Sequence, residues 1–162
     1  MKKLTYIFTL LLFASCGSKD QPAKTEEKAD PKQLLDVDMA FSKMSGEKGA
    51  KEAFLFYASD SVVKLRNKEF PIIGKNALKQ MFDGDADAKN TSLTWEPVKA
   101  EISTSGDLGY TYGNYKLRLD DSLTTDTKAF YGNYITIWKK QADGSWKYVL
   151  DGGNSTPDPA TN

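Results

Sequence analysis

The chain contains no histidine, which excludes the chemistry that depends on an imidazole ring. Histidine is the commonest general base near neutral pH and the commonest nitrogen ligand of protein-bound metals. The single cysteine, Cys16, has no second cysteine with which to form an internal disulfide. No nucleophile motif, phosphate-binding glycine loop, paired-cysteine metal site or dinucleotide fingerprint is present. The sequence therefore predicts neither a cofactor nor a metal.

An excess of positive charge is also missing. The chain has 22 basic and 22 acidic side chains, and loss of residues 1–15 would remove Lys2 and Lys3 but no acid, leaving a net charge of −2. Proteins that bind nucleic acid carry a basic patch or stripe that neutralises phosphates. We therefore expect no nucleic-acid partner.

Residues 1–15 have the pattern of an export signal. Lys2 and Lys3 precede an apolar run from Leu4 to Phe13, and small residues follow directly before Cys16. The run is too short to span a bilayer, which needs about 20 apolar residues. Ala-Ser-Cys after such a run resembles a bacterial lipobox, which implies that Cys16 is acylated and becomes the first mature residue. The alternative is cleavage elsewhere, with an incidental cysteine.

Residues 16–32 form a predicted tether between the lipid and the folded domain. After Cys16 the segment reads GSKDQPAKTEEKADPK, without an aromatic or branched aliphatic residue. Such a segment cannot bury a core, and its sixteen residues extend to roughly 50 Å. Gly17 and Asp20 behind the cysteine resemble outer-membrane lipoproteins. This resemblance implies a location in the bacterial cell envelope, at the outer membrane, on its periplasmic or surface side.

Three helical segments precede most of the predicted sheet. The first follows Asp30-Pro31 and ends near Ser45-Gly46, the second spans Ala50 to Tyr57, and the third follows Gly74. A short strand lies between the second and third helices, and four longer strands follow, of which the last two form a hairpin from Phe130 to Asp151. We expect an α+β domain over residues 33–155, with a curved antiparallel sheet wrapped around the helices, and a tail over 156–162.

The acidic loop of residues 83–92 invites a calcium interpretation, because aspartates alternate from Asp83 onward. Counted as an EF-hand loop, however, it has Ala88 at the sixth position, where glycine is needed. It also has Thr94 at the twelfth position, where a bidentate glutamate is needed. The sequence favours a solvated loop without a metal.

Four stretches of the chain resemble the nuclear-transport-factor-2-like superfamily, which includes ketosteroid isomerases, SnoaL-type cyclases and the branch called domain of unknown function 4440. The similarity extends over residues 33–155 and implies a cone-shaped fold with a pocket between sheet and helices. The stretches are AFLFYASDSVVKLR from Ala53, IIGKNALKQMF from Ile72, LTWEPVKAEISTSGDLGYTYGNYKL from Leu93 and YGNYITIWKKQADGSWKYVLDGGN from Tyr131.

The same resemblance argues against isomerase chemistry of the ketosteroid type. Matched without gaps, Leu65 takes the place of the family's general-base aspartate, and Phe41 falls near its oxyanion-hole tyrosine. Members that work through histidine are excluded by composition. The resemblance therefore implies the fold and leaves the activity open.

Candidate polar groups for such a pocket are the polar and aromatic side chains that remain. An inward Asp151 on the last strand would act as ligand anchor or general base and would need a partner. Alternatively, Asp151 caps a turn at Gly152-Gly153, the aromatic residues belong to the sheet surface, and Arg66 is a solvated strand end. The candidates are Arg66, Trp95, Tyr112, Tyr115, Tyr131, Asn133 and Asp151.

Two functions are consistent with these patterns. The first is a non-catalytic, lipid-anchored module that binds a small apolar or amphipathic molecule, or a protein partner. The second is an isomerase, dehydratase or hydrolase in which Asp151 works with a tyrosine. It requires Asp151 to lie in a cavity within hydrogen-bond reach of Tyr112, Tyr131 or Arg66. Relatives of this fold commonly dimerise through the outer face of the sheet, which implies a homodimer here.

Overall fold

A computed structural model describes residues 30–84, 91–120 and 127–159. The predicted signal, the predicted acylation site Cys16 and most of the predicted tether lie outside the described residues, as do positions 85–90 of the acidic loop. Within the described part, no helix is both long and apolar enough to span a membrane.

Three helices pack against the sheet: α1 (Lys32–Lys48), α2 (Ala50–Tyr57) and α3 (Lys75–Gly84). A carboxylate oxygen of Asp30 accepts a hydrogen bond from the backbone N–H of Lys32 at 2.9 Å, which satisfies one of the free donors at the start of α1. This helix continues past the predicted end near Gly46. Gly49, with φ of 91°, ends it and lets α2 begin in a new direction.

Six strands form one sheet in the order β2-β1-β6-β5-β4-β3. The α+β fold with helices and a curved, mainly antiparallel sheet is confirmed, and the sheet is mixed because β1 and β6 pair in parallel. No tight turn joins these two strands, so their direction is free of the constraint that makes hairpins antiparallel. The strands are β1 (Ala58–Lys64), β2 (Ile72–Ile73), β3 (Thr91–Ile102), β4 (Leu108–Asp120), β5 (Thr127–Lys140) and β6 (Trp146–Thr156).

The bend predicted at Pro97 is present. The pairing of β3 with β4 shifts register between Pro97 and Lys99, so Val98 is the extra residue of a bulge. Opposite the bulge lies Gly113, where a Cβ atom would come within 2.0 Å of the carbonyl oxygen of Glu96. Only glycine permits this close approach of the two strands.

Aromatic side chains form the centre of the core. The ring of Phe41 lies with its centroid 4.8 Å from that of Phe54, 4.6 Å from that of Trp95 and 5.5 Å from that of Tyr148. Such ring pairs contribute about 0.5–1.5 kcal/mol each beyond the area they bury. The buried apolar residues run from Leu34 to Tyr148 and form one cluster. This cluster gives the chain from residue 30 onward a hydrophobic core of its own, which is what a domain needs to fold.

Helix α1 covers the free edge of β3. The hydroxyl of Ser42 donates to the carbonyl oxygen of Trp95 at 2.7 Å and accepts from the backbone N–H of Trp95 at 2.8 Å. Ser45 donates to the carbonyl oxygen of Leu93 at 2.7 Å. Unpaired groups on an edge strand invite association with other chains, and the two serines satisfy them here. They also fix the position of Trp95 beside the site described next.

Candidate functional site

A cavity of about 470 Å³ lies between the helices and the inner face of the sheet. Much of its wall is apolar, as is typical of sites for small molecules. The apolar side chains come from α2, α3, β3 and β4 and include Phe54, Met81, Phe82, Leu93, Trp95, Tyr115 and Leu117. The polar side chains come from β1, the loop after it, β5 and β6, and are Lys64, Arg66, Asn67, Glu69, Tyr134, Asp151, Asn154 and Ser155.

An ion pair between Lys64 and Asp151 lies inside this cavity. The parallel register of β1 and β6 sets the two residues opposite each other, and their side chains are only 19% and 7% exposed. The hydroxyl of Thr136 donates to the second carboxylate oxygen of Asp151 at 2.7 Å. The ammonium of Lys64 also lies 4.6 Å from the centroid of the Phe54 ring. The buried carboxylate thus has both a cation and a hydroxyl donor, as burial of a charge requires.

The alternative in which Asp151 caps a turn is wrong, since β6 continues through Gly152 and Gly153 to Thr156. The inward Asp151 also differs from what the enzyme hypothesis requires. Its hydrogen-bond partners are Lys64 and Thr136 rather than Tyr112, Tyr131 or Arg66.

A second carboxylate, Asp38 on α1, is fully buried behind the cavity. The indole Nε1–H of Trp95 donates to one of its oxygens at 2.7 Å, and the hydroxyl of Tyr134 donates to the other at 2.7 Å. The pKa of Asp38 is raised above its usual value, because burial outweighs the hydrogen bonds from Tyr134, Trp95 and Thr111, which lower it. None of the ion pairs among the described residues includes Asp38. Hydrogen-bond donors replace a cation there.

Tyr134 connects Asp38 to the cavity. Its side chain lines the cavity, and its hydroxyl donates a hydrogen bond to Asp38. Burial raises the pKa of Tyr134 strongly, and the negative charges of Asp38 and Asp151 add to the effect. The phenol therefore stays protonated.

Four of the seven predicted site residues line the cavity, namely Arg66, Trp95, Tyr115 and Asp151. At the rim, Arg66 pairs with Glu69 at 3.2 Å.

The other three predicted residues, Tyr112, Tyr131 and Asn133, lie outside this cavity. Side chains alternate along a strand, and these positions follow the outer face of β4 and β5, opposite to Tyr115 and Tyr134. Asn133 donates to the side chain of Asn114 at 2.7 Å. Tyr131 lines a separate cavity of about 680 Å³ between α1 and the sheet edge.

Sequence reasoning missed Lys64, Asp38 and Tyr134. A signal for Asp38 was present, because it lies four residues after Leu34 and three before Phe41, on the stripe of α1 that faces the core. A signal for Tyr134 was its alternation with Gly132 and Thr136. For Lys64 the sequence contains no comparable signal, since its partner is 87 residues away.

No group of three or more acidic, cysteine or histidine side chains that could bind a metal occurs within the described ranges.

Comparison with solved structures places this geometry in a known architecture. A ketosteroid isomerase-like protein from Erwinia carotovora atroseptica has a TM-score of 0.63 and 12% identity, and the match covers 78% of this chain and 96% of that one. The fold is nuclear-transport-factor-2-like. A second protein of this type, from Novosphingobium aromaticivorans, is described as having a cystatin-like fold. It matches with a TM-score of 0.61 and 12% identity, over 82% of this chain and 85% of its own.

A protein named as a hub also has this nuclear-transport-factor-2-like fold. The CaMKII hub from S. rosetta matches with a TM-score of 0.61 and 17% identity, over 78% of this chain and 96% of its own. No model of a known protein family matches the chain, and no curated protein matches it significantly. Identities this low establish the fold, which hosts many unrelated functions.

Proposed function

We propose that this protein is a lipid-anchored protein of the bacterial cell envelope that binds a small apolar or amphipathic molecule in the 470 Å³ cavity. The observation that carries the proposal is an apolar wall interrupted by one inward ion pair, Lys64 with Asp151. Ligand sites typically combine an apolar surface with a few polar groups that orient the ligand. The resemblance to the branch called domain of unknown function 4440 is part of this proposal and leaves the ligand open.

The two positions that matter for ketosteroid isomerase chemistry support binding rather than catalysis. Leu65, which takes the place of the general base, lies on the cavity wall without an ionisable group. Phe41, near the place of the oxyanion-hole tyrosine, is packed in the aromatic core. Neither a base nor a hydroxyl is therefore present at these matched positions.

The anchor rests on the sequence pattern of residues 1–32. An acylated Cys16 with a polar tether of roughly 50 Å would hold the domain near the outer membrane while leaving the cavity free to exchange ligands. A small molecule that moves between lipid and water is a suitable ligand for a protein in this place.

The test is native mass spectrometry of residues 30–162, purified from the protein's own host without detergent. We expect a bound small molecule that organic solvent releases. Leu117→Trp, which fills the cavity from β4, should abolish the bound mass. Tyr112→Trp, which places the same side chain on the outer face of β4, is the matched control and should retain it. The proposal would be contradicted if the wild-type protein carried no bound molecule, or if the Leu117→Trp variant still carried it.

A second candidate, an enzyme that uses Asp151 with a tyrosine, is favoured by one observation. Asp151 faces the cavity, and Tyr134 is a tyrosine on the same wall, two positions along the neighbouring strand from Thr136. Asp151 would then transfer a proton to or from the ligand. If the released molecule is converted by the wild type, and Asp151→Asn stops conversion while binding persists, this candidate replaces the first. Unchanged ligand in both proteins leaves the binding function.

A further inference from the structure

We infer that the ligand of the cavity is an uncharged amphipathic alcohol, whose hydroxyl donates a hydrogen bond to the phenolic oxygen of Tyr134. This inference rests on the proposed binding function and adds the chemical class of the ligand. It follows from the direction of one hydrogen bond and from the charges on the cavity wall.

The hydrogen of the Tyr134 hydroxyl is already bound. It points to Asp38, whose other oxygen is bound by Trp95, each at 2.7 Å. The hydroxyl of Thr111 also bonds to this carboxylate and itself accepts the indole N–H of Trp138 at 2.9 Å. Three side-chain donors point at its two oxygens, which is the arrangement that a carboxylate accepts. Tyr134 therefore presents only lone pairs to the cavity.

Because Tyr134 accepts, the ligand must donate at this point. Alcohols and N–H groups donate, whereas ethers, ketones and ionised acids do not. The ammonium of Lys64 has three hydrogens and gives one of them to Asp151. Its remaining hydrogens are donors for the oxygen of the ligand hydroxyl, which can accept while it donates to Tyr134.

The charges on the wall exclude a charged ligand. Lys64 is paired with Asp151, and Arg66 with Glu69, so the charged side chains that line the cavity cancel. A carboxylate ligand would compete with Asp151 for Lys64, and an ammonium would compete with Lys64 for Asp151. Either would leave a buried charge without its partner, which costs free energy. A neutral hydroxyl avoids this cost.

Asp38 acts as a positioning residue. Its conservative variant changes Tyr134 from a hydrogen-bond acceptor towards the cavity into a donor. In Asp38→Asn the amide oxygen still accepts from Trp95, while the amide N–H₂ donates to the oxygen of Tyr134. The phenol hydrogen is then free to turn into the cavity. The variant should prefer a ligand that accepts, and a purely structural role for Asp38 would not invert the preference.

The experiment compares matched ten-carbon probes for their ability to displace the neutral dye N-phenyl-1-naphthylamine from residues 30–162. The probes are 1-decanol, decyl methyl ether and decanoate. In the wild type we expect 1-decanol to bind about 3- to 10-fold more tightly than the ether, the ratio typical of one hydrogen bond. In Asp38→Asn the ether should bind more tightly than the alcohol. In Tyr134→Phe the two should bind with equal affinity.

The control is Tyr112→Phe, which removes a tyrosine hydroxyl from the outer face of β4, outside the cavity, and should keep the preference for the alcohol. Melting temperatures show that each variant is folded. Equal binding of alcohol and ether to the wild type would overturn the alcohol inference while the proposed binding function stands. Tightest binding of decanoate would overturn it as well. Failure of the wild type to bind both dye and probes would overturn the binding function itself.

Discussion

Two buried carboxylates in one small domain are stabilised in different ways. Asp151 has a lysine and a threonine hydroxyl as partners, whereas Asp38 has only hydrogen-bond donors. An ion pair in a cavity remains available to a neutral ligand, because the lysine hydrogens that do not bind Asp151 can still donate. A carboxylate surrounded by donors instead fixes the orientation of the side chains around it. Asp151 is therefore suited to ligand contact, and Asp38 to holding Tyr134 and Trp95 in place.

Replacing Lys64 tests whether the ion pair is buried in solution. Lys64→Met leaves Asp151 without its cation and should lower the free energy of unfolding by about 3 kcal/mol. Lys79→Met, which breaks an exposed pair with Asp83, is the control and should cost under about 1 kcal/mol. Urea denaturation at pH 7 measures both. Equal costs for the two variants would mean that solvent reaches the Lys64 pair.

The raised pKa of Asp38 predicts a pH dependence of stability. The pKa of Asp38 is higher in the folded than in the unfolded state, so the protonated carboxyl contributes to the free energy of unfolding. This contribution is fully present below pH 3.8 and is lost as the pH rises through the folded-state pKa. The free energy of unfolding of the wild type should therefore fall relative to that of Asp38→Asn over this window. Urea titrations of both proteins from pH 3 to pH 7 measure the difference. The prediction would be refuted if the free energy of unfolding of the wild type rose relative to that of Asp38→Asn as the pH increases.

At the scale of elements, helix α1 connects the edge of the sheet with the site. Its serines cap the free backbone groups of β3, and its Asp38 binds Trp95 one turn away from Ser42. The helix thus holds both the backbone and the side chain of Trp95. Because edge strands otherwise pair with other chains, this contact protects the domain from aggregation as well as positioning one wall of the cavity.

Ser42→Ala tests this contact. The variant leaves the backbone N–H and carbonyl of Trp95 without their partner, which should cost about 1–3 kcal/mol of unfolding free energy. Ser61→Ala, at an exposed position of β1, is the control and should change the stability by less than about 0.5 kcal/mol. Guanidinium denaturation followed by tryptophan fluorescence measures both. A cost for Ser42→Ala no larger than that of the control would show that water replaces the serine.

At the scale of the whole molecule, the outer face of the sheet exposes apolar side chains to solvent. Tyr112 and Ile135 lie opposite each other on β4 and β5 and are 41% and 43% exposed. Exposed apolar patches on a sheet indicate an interface. We propose that a second copy of this chain covers the face.

Ile135→Lys should convert such a dimer to a monomer, since a C₂ interface would bring the new charge close to its symmetry mate. Ile73→Lys is the matched control, because Ile73 is 69% exposed but lies on β2 at the far edge of the sheet. Sedimentation velocity of residues 30–162 at several concentrations distinguishes the two states. A wild type that sediments as a monomer at every concentration would exclude the dimer.

The anchor is tested on the full-length chain in its host. Cys16→Ser removes the sulfur that would be acylated and should move the protein from the membrane fraction to the soluble fraction. Ser18→Ala, two residues further along, is the control and should remain with the membrane. Immunoblots of fractionated cells measure the distribution. A Cys16→Ser protein that stays in the membrane fraction would place the anchor elsewhere.

The sequence by itself determined the elements whose signals are local. The hairpin around Asp143-Gly144 is present, with Gly144 at φ 84° and Ser145 bonded to the carboxylate of Asp143. The helices and the bend at Pro97 also agree with the residues that predicted them. Neighbouring residues set these features through backbone preferences and side-chain periodicity. The face that each strand turns inward depends on tertiary packing, and Tyr112, Tyr131 and Asn133 lie outside the cavity to which the sequence assigned them.

Only the tertiary structure decided the site. The parallel pairing of β1 with β6 brings Lys64 to Asp151 across 87 residues, and the packing of α1 on the sheet brings Asp38 to Tyr134 across 96. Contacts of this span depend on the path of the whole chain, because no local preference records which distant strand becomes a neighbour. A lysine, two aspartates and a tyrosine, each unremarkable in its own stretch of sequence, become one polar group of side chains where the elements meet.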